Sequence, residues 1–158
     1  MNPESPGSLE LLTDAVLLAS RALVAVASRS LASVGDEVTL PQYRALVVMA
    51  HAPGGTPVGD LAQDLRITSS TATRLCDRLV RKKLARRRVN PNDRRETLML
   101  LTVSGSELVA EVTRLRKAEI DAIMAKVSPV QHRAVIDALT AFCVAAGETE
   151  LPSTFPPL

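Results

Sequence analysis

Apolar residues recur every three or four positions along most of this chain, which is the spacing of one face of an α-helix. The pattern predicts a long first helix over residues 8–33 and shorter helices that begin near Thr39, Thr56 and Thr68. Two more helices are predicted after Thr102. Between these groups of helices, residues 85–89 alternate and residues 97–101 form a short apolar run, as β-strands do. The predicted fold class is therefore mainly α with one small β-hairpin.

The first predicted helix is apolar around most of its circumference. Its leucines and valines favour one side, but Leu11, Leu17 and Leu18 extend the apolar surface around it, and its charges are few. Such a helix needs burial on more than one face. A chain of this size can hardly supply that burial at its own N-terminus, so we expect a partner subunit to cover the helix.

Local start signals support the shorter helices. Thr39 and Gln42 are spaced as a capping box, and residues 128–131 (Ser-Pro-Val-Gln) repeat that signal with proline at the first helical position. Thr56 is predicted to cap another helix, with Pro57 at its first position.

Two of the short helices are joined by only a few residues, Arg66-Ile67-Thr68, and Thr68 is a good N-cap hydroxyl. The second of them has an apolar face made of Ala72, Leu75, Cys76, Leu79 and Val80. Its opposite face carries Ser70, Thr73, Arg74, Asp77 and Arg81. Two short helices so connected, the second with a polar and basic outer face, indicate a helix-turn-helix.

The segment from residue 85 to residue 101 predicts a β-hairpin. Residues 85–89 and 97–101 are the strands, and residues 90–93 (Asn-Pro-Asn-Asp) have the composition of a turn. Arg94 and Arg95 then lie at or just past the hairpin tip. A long cation on a projecting tip can enter a narrow minor groove, although an exposed hairpin with solubilising charge remains the alternative.

Positive charge is concentrated in this part of the chain. Ten of the 19 Lys and Arg residues lie between Arg74 and Arg95, against only two acidic residues, Asp77 and Asp93. The segment is therefore +8, and because the whole chain is +2 the remainder is −6. This concentration is typical of a protein that binds a polyanion.

Hydroxyl groups followed by an arginine open the helix that starts at Thr68. Short hydroxyls allow a helix to approach base edges closely, and arginine can bind guanine with two hydrogen bonds. A solvated helix face with an ordinary cap would have the same composition, so that alternative stays open.

Length and composition limit the number of domains and the cellular compartment. The 158 residues suffice for one domain or one lobe of a dimer, with 46% hydrophobic but only 2% aromatic residues. The N-terminus lacks the basic region of a signal peptide, no uninterrupted apolar run is long enough to span a membrane, and the two cysteines lack metal-site spacing. We expect a cytoplasmic protein.

The sequence contains no evident catalytic or metal-binding pattern. His51 and His132 have no neighbouring cysteine or carboxylate pattern, and Ser104-Gly105-Ser106 is helix-start chemistry without a partner histidine. No glycine loop of the kind that binds phosphate is present. We expect no enzyme activity, cofactor or metal.

Successive motifs resemble the multiple-antibiotic-resistance regulator (MarR) family. The wing signature is Asp93-x-Arg95 followed after five residues by Leu101-Thr102, and the other matching blocks are Leu40–Arg44, Val58–Ala62, Ser70–Leu79 and Leu101–Gly105. The resemblance implies a homodimeric winged helix-turn-helix repressor or activator whose DNA affinity responds to a small ligand or oxidant. It divides the chain into an N-terminal tail (1–7), a dimerisation helix (8–35), a DNA-binding lobe (36–102), C-terminal dimerisation helices (103–147) and a flexible tail (148–158).

The resemblance and the residue types together assign sites. A dimer would place the Thr68 helix in a major groove and the Arg95 tip in the flanking minor groove of a pseudo-palindromic operator. The predicted DNA contacts are Thr68, Ser69, Ser70, Thr71, Thr73, Arg74, Arg78, Arg81, Arg86, Arg88, Asp93, Arg94 and Arg95. Lys82 would add to the positive field, and Asp93 would orient an arginine.

The effector site is assigned by the resemblance alone. In this family, effectors often bind between the dimerisation helices and the DNA-binding lobe, which suggests a lining of Leu12, Val16, Tyr43, Leu46 and Val47, although each is equally suited to the core. Oxidant sensors of the family carry a cysteine near the start of the first helix, and residues 9–31 contain none. Cys76 is expected to serve packing, and Cys143 is expected to serve packing or the dimer seam.

One alternative function remains open at this stage. A winged helix could use the same basic surface to bind an acidic protein. DNA binding should fall steeply with salt and should survive a random DNA competitor, and this distinguishes the two hypotheses.

Overall fold

Six helices and three short strands make up the chain in a computed structural model that describes residues 6–35 and 38–147. In chain order they are α1 (Pro6–Ala32), α2 (Leu40–Ala50), β1 (Thr56–Pro57), α3 (Val58–Asp64), α4 (Ser69–Arg81), β2 (Ala85–Val89), β3 (Thr97–Leu101), α5 (Val103–Met124) and α6 (Pro129–Ala145). The prediction of a mainly α fold with a small β-hairpin is confirmed.

The core of the first 116 residues forms where the inner faces of α2, α3 and α4 meet the sheet and the start of α5. Its fully buried side chains include Leu46, Leu61, Leu79, Met99 and Val109. On α4 the predicted apolar face is buried except for Val80, which is half-buried. Leucine, valine, alanine and methionine fill this core, as expected from the low aromatic content.

The sheet is antiparallel with the strand order β1-β3-β2. Strands β2 and β3 pair from Ala85 with Leu101 to Val89 with Thr97, so the predicted hairpin is confirmed. Strand β1 was not predicted. Thr56 and Pro57 pair with Met99 and Leu98 instead of opening a helix, and α3 begins one residue later, at Val58.

The predicted role of Thr56 as a helix cap is therefore wrong. Pro57 occupies the N-cap position of α3, and no side-chain hydrogen bond caps that helix. Thr56 is buried, and its Oγ1 has no hydrogen-bond partner among the described residues. Pairing with a strand more than 40 positions away along the chain outweighed the local start signal.

Two other start signals had different outcomes. Gln42 is buried, and its side-chain Oε1 accepts a hydrogen bond from the Thr39 N–H at 3.2 Å, as in the predicted capping box. Ser128 stands at the N-cap position of α6, with Pro129 after it, but its side chain makes no capping hydrogen bond. Gly147 follows the α6 C-cap with a φ of +82°, the left-handed conformation in which many helices end.

Helix α1 begins at Pro6, so residues 6 and 7 belong to the helix and not to the predicted tail. Residues 1–5 and 148–158 lie outside the described residues, as do Asp36 and Glu37. Large side chains of α1 are exposed in the single chain, among them Leu11 (73%) and Leu18 (66%).

By length and composition alone, α1 is one helix among the described residues that is long and apolar enough to cross a membrane. Within Gly7–Ala32, a span of 26 residues, an 18-residue stretch reaches a mean hydropathy of 1.7. The expectation that no stretch spans a membrane considered uninterrupted apolar runs, whereas the four charged residues of this helix, Glu10, Asp14, Arg21 and Arg29, are too few to make its apolar middle polar on average.

The chain also divides into two compact units, which meet between Arg116 and Lys117 within α5. The expectation was one domain or one lobe of a dimer, and the division into domains stays a prediction. The second unit contains the end of α5 and all of α6, and none of the α6 side chains is buried. Val130, Ile136, Leu139 and Phe142 are exposed apolar residues of that helix.

Candidate nucleic-acid interface

The start of α4 is organised by Thr68. Its Oγ1 accepts a hydrogen bond from the Thr71 N–H at 3.3 Å and lies 3.1 Å from the Ser70 hydroxyl oxygen. The Thr73 hydroxyl donates to the Ser69 carbonyl at 2.9 Å. Because the opposite face of the helix is buried, all of these hydroxyl-bearing residues are exposed together. The predicted N-cap is confirmed.

Three arginines continue the exposed surface of α4 towards its C-terminus. Arg74, Arg78 and Arg81 are exposed, and none of their side chains makes a hydrogen bond or ion pair with the part of the chain that the structure describes. Arg78 and Arg81 lie in the last turn, where the helix dipole favours positive charge.

The arginines of β2 point in different directions because successive side chains of a strand lie on opposite faces. Arg87 Nη2 lies 2.5 Å from Asp77 Oδ1 on α4, in an ion pair between the two elements. Arg88 Nη2 donates to the Gly54 carbonyl at 2.5 Å. Arg86 is exposed. The structure thus places Arg88, a predicted DNA contact, on a backbone carbonyl in the unbound chain.

The hairpin tip is held by its own hydrogen bonds. The Asn90 N–H donates to the Glu96 carbonyl at 2.9 Å, and the Asn90 side chain donates to Glu96 Oε2. Asp93 Oδ1 accepts from the Arg95 N–H at 2.9 Å. Asp93 therefore orients the backbone at Arg95, and both Arg94 and Arg95 are exposed at the tip.

An open groove of about 510 Å³ lies between α4 and β2. Its lining consists of Arg74, Asp77, Arg78, Val80, Arg81 and Arg87. Sequence reasoning left Asp77 and Arg87 out of the predicted contacts. The strand alternation contained a usable signal, because it separates Arg87 from Arg86 and Arg88 and directs it to the other face of the hairpin.

Cys76 lies beneath this surface and is fully buried. Burial raises the pKa of its thiol, the nearby Arg87 charge opposes that rise and Asp77 adds to it. The thiol is thus favoured over the reactive thiolate. Cys143 is exposed on α6.

The five residues suggested for an effector site have mixed environments. Leu46 and Tyr43 are buried, with the Tyr43 hydroxyl 3.3 Å from Thr113 Oγ1 on α5. Val16 and Val47 are half-buried, and Leu12 is 60% exposed. Leu46 is core in this state of the chain, and the effector assignment stays a prediction.

Neither histidine belongs to a metal-binding group in the described ranges 6–35 and 38–147. His51 Nδ1 lies 2.8 Å from the Val47 carbonyl, and His132 Nε2 lies 3.1 Å from the Val127 carbonyl.

Comparison with known proteins connects this geometry to a family. A family model described as MarR family matches residues 37–96. The chain is 34% identical over 79 residues to the multiple antibiotic resistance protein MarR of Escherichia coli. The matched region covers 50% of this chain and 54% of that protein. The crystal structure of RV1404 from Mycobacterium tuberculosis is 39% identical, with 90% and 97% of the two chains covered and a TM-score of 0.82.

The chain belongs to the MarR family of transcriptional regulators. Its α3, α4 and β2–β3 hairpin are the helix-turn-helix and wing of this MarR-family fold. A S. aureus MepR mutant bound to an oligodeoxyribonucleotide is 25% identical, with a TM-score of 0.63 over 85% of this chain and 97% of that one. The chain spans about half the length of two curated relatives that it matches, 47% and 54%.

Proposed function

We propose that this protein is a cytoplasmic, ligand-responsive transcriptional repressor that binds a pseudo-palindromic operator as a homodimer. One observation carries the proposal. The hydroxyl and arginine face of α4 lies beside an arginine-tipped wing, in a segment with a formal charge of +8. The S. aureus MepR structure with bound oligodeoxyribonucleotide supports DNA as the partner.

In this proposal each subunit places the N-terminal half of α4 in a major groove. Ser69, Ser70, Thr71, Thr73 and Arg74 read base edges there, while the Arg95 tip enters the flanking minor groove. Arg78, Arg81 and Arg86 contact phosphates or add to the field, and so contribute affinity more than sequence choice.

The exposed leucines of α1 and the exposed apolar side chains of α6 support the proposed homodimer. Twofold symmetry would present two α4 helices to half-sites about 10 base pairs apart. A dimer bound over a promoter blocks polymerase by occupancy, and for this reason we assign repression. We place α1 in the dimer, not in a membrane, and we infer a small-molecule effector without assigning its class.

Arg95→Ala tests the wing assignment. Loss of a minor-groove arginine should weaken binding to a duplex selected from a random library by about 1–3 kcal/mol with the fold intact. Titration of labelled DNA, with circular dichroism as a check on folding, measures the effect. Arg133→Ala, which removes an exposed arginine of α6, is the matched control and should bind as tightly as the parent protein.

The same titration at two salt concentrations separates DNA binding from the alternative of an acidic protein partner. Specific DNA binding should weaken steeply with salt and should resist a random competitor. Equal displacement by random and selected DNA would contradict the proposal, and unchanged affinity of Arg95→Ala would remove the wing assignment alone.

A further inference from the structure

The groove between α4 and β2 combines four guanidinium groups with one carboxylate. Arg74, Arg78 and Arg81 contribute from the helix and Arg87 from the strand, and Asp77 is the carboxylate. The formal charge of the lining is therefore +3. Such a lining suits an anion, and arginine binds phosphate oxygens with paired hydrogen bonds.

The position of the groove indicates which anion it meets. It lies between the helix proposed for the major groove and the wing proposed for the minor groove. In a duplex these two grooves are separated by one sugar-phosphate strand. A cationic surface between α4 and the wing therefore faces backbone phosphates, not base edges.

Arg87 is held in this groove by an ion pair that can exchange. Its Nη2 lies 2.5 Å from Asp77 Oδ1, and the two side chains are 43% and 47% exposed. An ion pair as exposed as this one is weak. A phosphate that enters the groove would therefore meet an arginine already in place and a counter-ion that is easily displaced.

We propose that the groove binds one backbone phosphate of the DNA duplex through Arg87, and that Asp77 is the displaceable counter-ion that positions Arg87 for it. This inference rests on the proposed function. Asp77 also sets a limit on affinity, because its carboxylate competes with phosphate for Arg87 and repels the duplex. A lower affinity for all DNA sequences is the consequence.

The test uses the full-length protein, a selected duplex and the same duplex with single phosphates replaced by neutral methylphosphonates. The parent protein should lose affinity at one phosphate per half-site, whereas Arg87→Ala should be insensitive to that replacement. The salt dependence of Arg87→Ala should be shallower by about 0.9 in log–log slope for each subunit engaged.

Asp77→Asn tests the counter-ion. The substitution removes a negative charge beside the expected position of the phosphate. It should tighten binding to selected and random duplexes alike, by about fivefold. The gain should be much smaller in the Arg87→Ala background, because the carboxylate acts largely through Arg87.

Arg114→Ala is the matched control. Arg114 also pairs with a carboxylate, with Nη2 2.6 Å from Glu111 Oε1, but it lies on α5 outside the groove. It should keep the methylphosphonate profile and salt slope of the parent protein. Arg87→Gln, which keeps most of the side-chain stem, repeats the test if Arg87→Ala is poorly folded.

Three outcomes would overturn the inference or its basis. Arg87 variants with the parent's salt slope and methylphosphonate profile would overturn the inference. This holds even if their thermal stability fell, because the Arg87–Asp77 ion pair would then have a structural role only. An equal gain from Asp77→Asn with and without Arg87 would overturn the counter-ion role. A parent protein that binds no duplex would instead refute the proposed function itself.

Discussion

At the scale of single residues, Gly105 has the shortest contact to an added Cβ among the described glycines. A Cβ there would lie 2.0 Å from the Leu84 carbonyl oxygen. That carbonyl is anchored, because it accepts the Thr102 N–H at 3.2 Å, while the Thr102 hydroxyl donates to the neighbouring Lys83 carbonyl at 2.6 Å. The close approach lets α5 begin directly against the turn that ends α4.

We expect Gly105→Ala to lower the free energy of unfolding by about 1–3 kcal/mol, since the backbone must shift to admit the methyl group. The helix propensity of alanine recovers about 1 kcal/mol at most and does not reverse the sign. Urea denaturation measures the change.

Gly59→Ala is the matched control for that prediction. Gly59 is also helical, in α3, but nothing lies within 4 Å of an added Cβ. This variant should be as stable as the parent protein or more stable by about 0.5–1 kcal/mol. Equal stability of the two alanine variants would contradict the account of Gly105.

At the scale of elements, α4 is the part of the chain that its local sequence specifies most completely. The Thr68 cap and the apolar spacing from Ala72 to Leu79 predict its start and its buried face, and the structure confirms both. The β2–β3 hairpin is similar, because its strands are close in sequence and separated by turn residues. Local signals suffice where the deciding contacts are local.

Thr68→Ala should lower the free energy of unfolding by about 0.5–1 kcal/mol, near the lower end of the range for N-caps. The reason for the low value is the 3.3 Å distance from Thr68 Oγ1 to the Thr71 nitrogen, which is long for a hydrogen bond. Chemical denaturation followed by circular dichroism gives the measurement. Thr68→Ser keeps the oxygen and should remain close to the parent, and an equal loss in both variants would refute the capping role.

Strand β1 shows where element prediction failed. Thr56 and Pro57 have the composition of a helix start, but they pair with Met99 and Leu98 of β3. No periodicity within a two-residue strand can reveal such a pairing. The same limit applies to the Arg87–Asp77 ion pair and the Arg88–Gly54 hydrogen bond. Each joins two different elements of the fold, and no local pattern in the sequence reveals such a contact.

At the scale of the whole molecule, the exposed apolar surface of α1 is the contact that we propose for the dimer. Leu11 and Leu18 are two helical turns apart, so they lie on one face, and both are more than 60% exposed. Burying a leucine side chain contributes about 1.5–3 kcal/mol, and twofold symmetry makes each contribution occur twice.

The paired substitution Leu11→Glu/Leu18→Glu should therefore convert a dimer to monomers and abolish operator binding. Sedimentation equilibrium measures the mass, and DNA titration measures the binding. Glu10→Gln, at an exposed charged position of α1 beside Thr13 and Asp14, should leave both unchanged. A dimer that persists in the paired variant would show that these leucines are not in the interface.

Sequence alone determined the order of the helices, the α4 register, the hairpin and the concentration of positive charge, because each depends on residues close together in the chain. Only the tertiary structure decided that Thr56 joins a sheet, that Leu46 is buried core and that Arg87 faces Asp77 across a groove. These outcomes depend on contacts between segments distant in the chain, where packing and charge pairing outweigh local propensity.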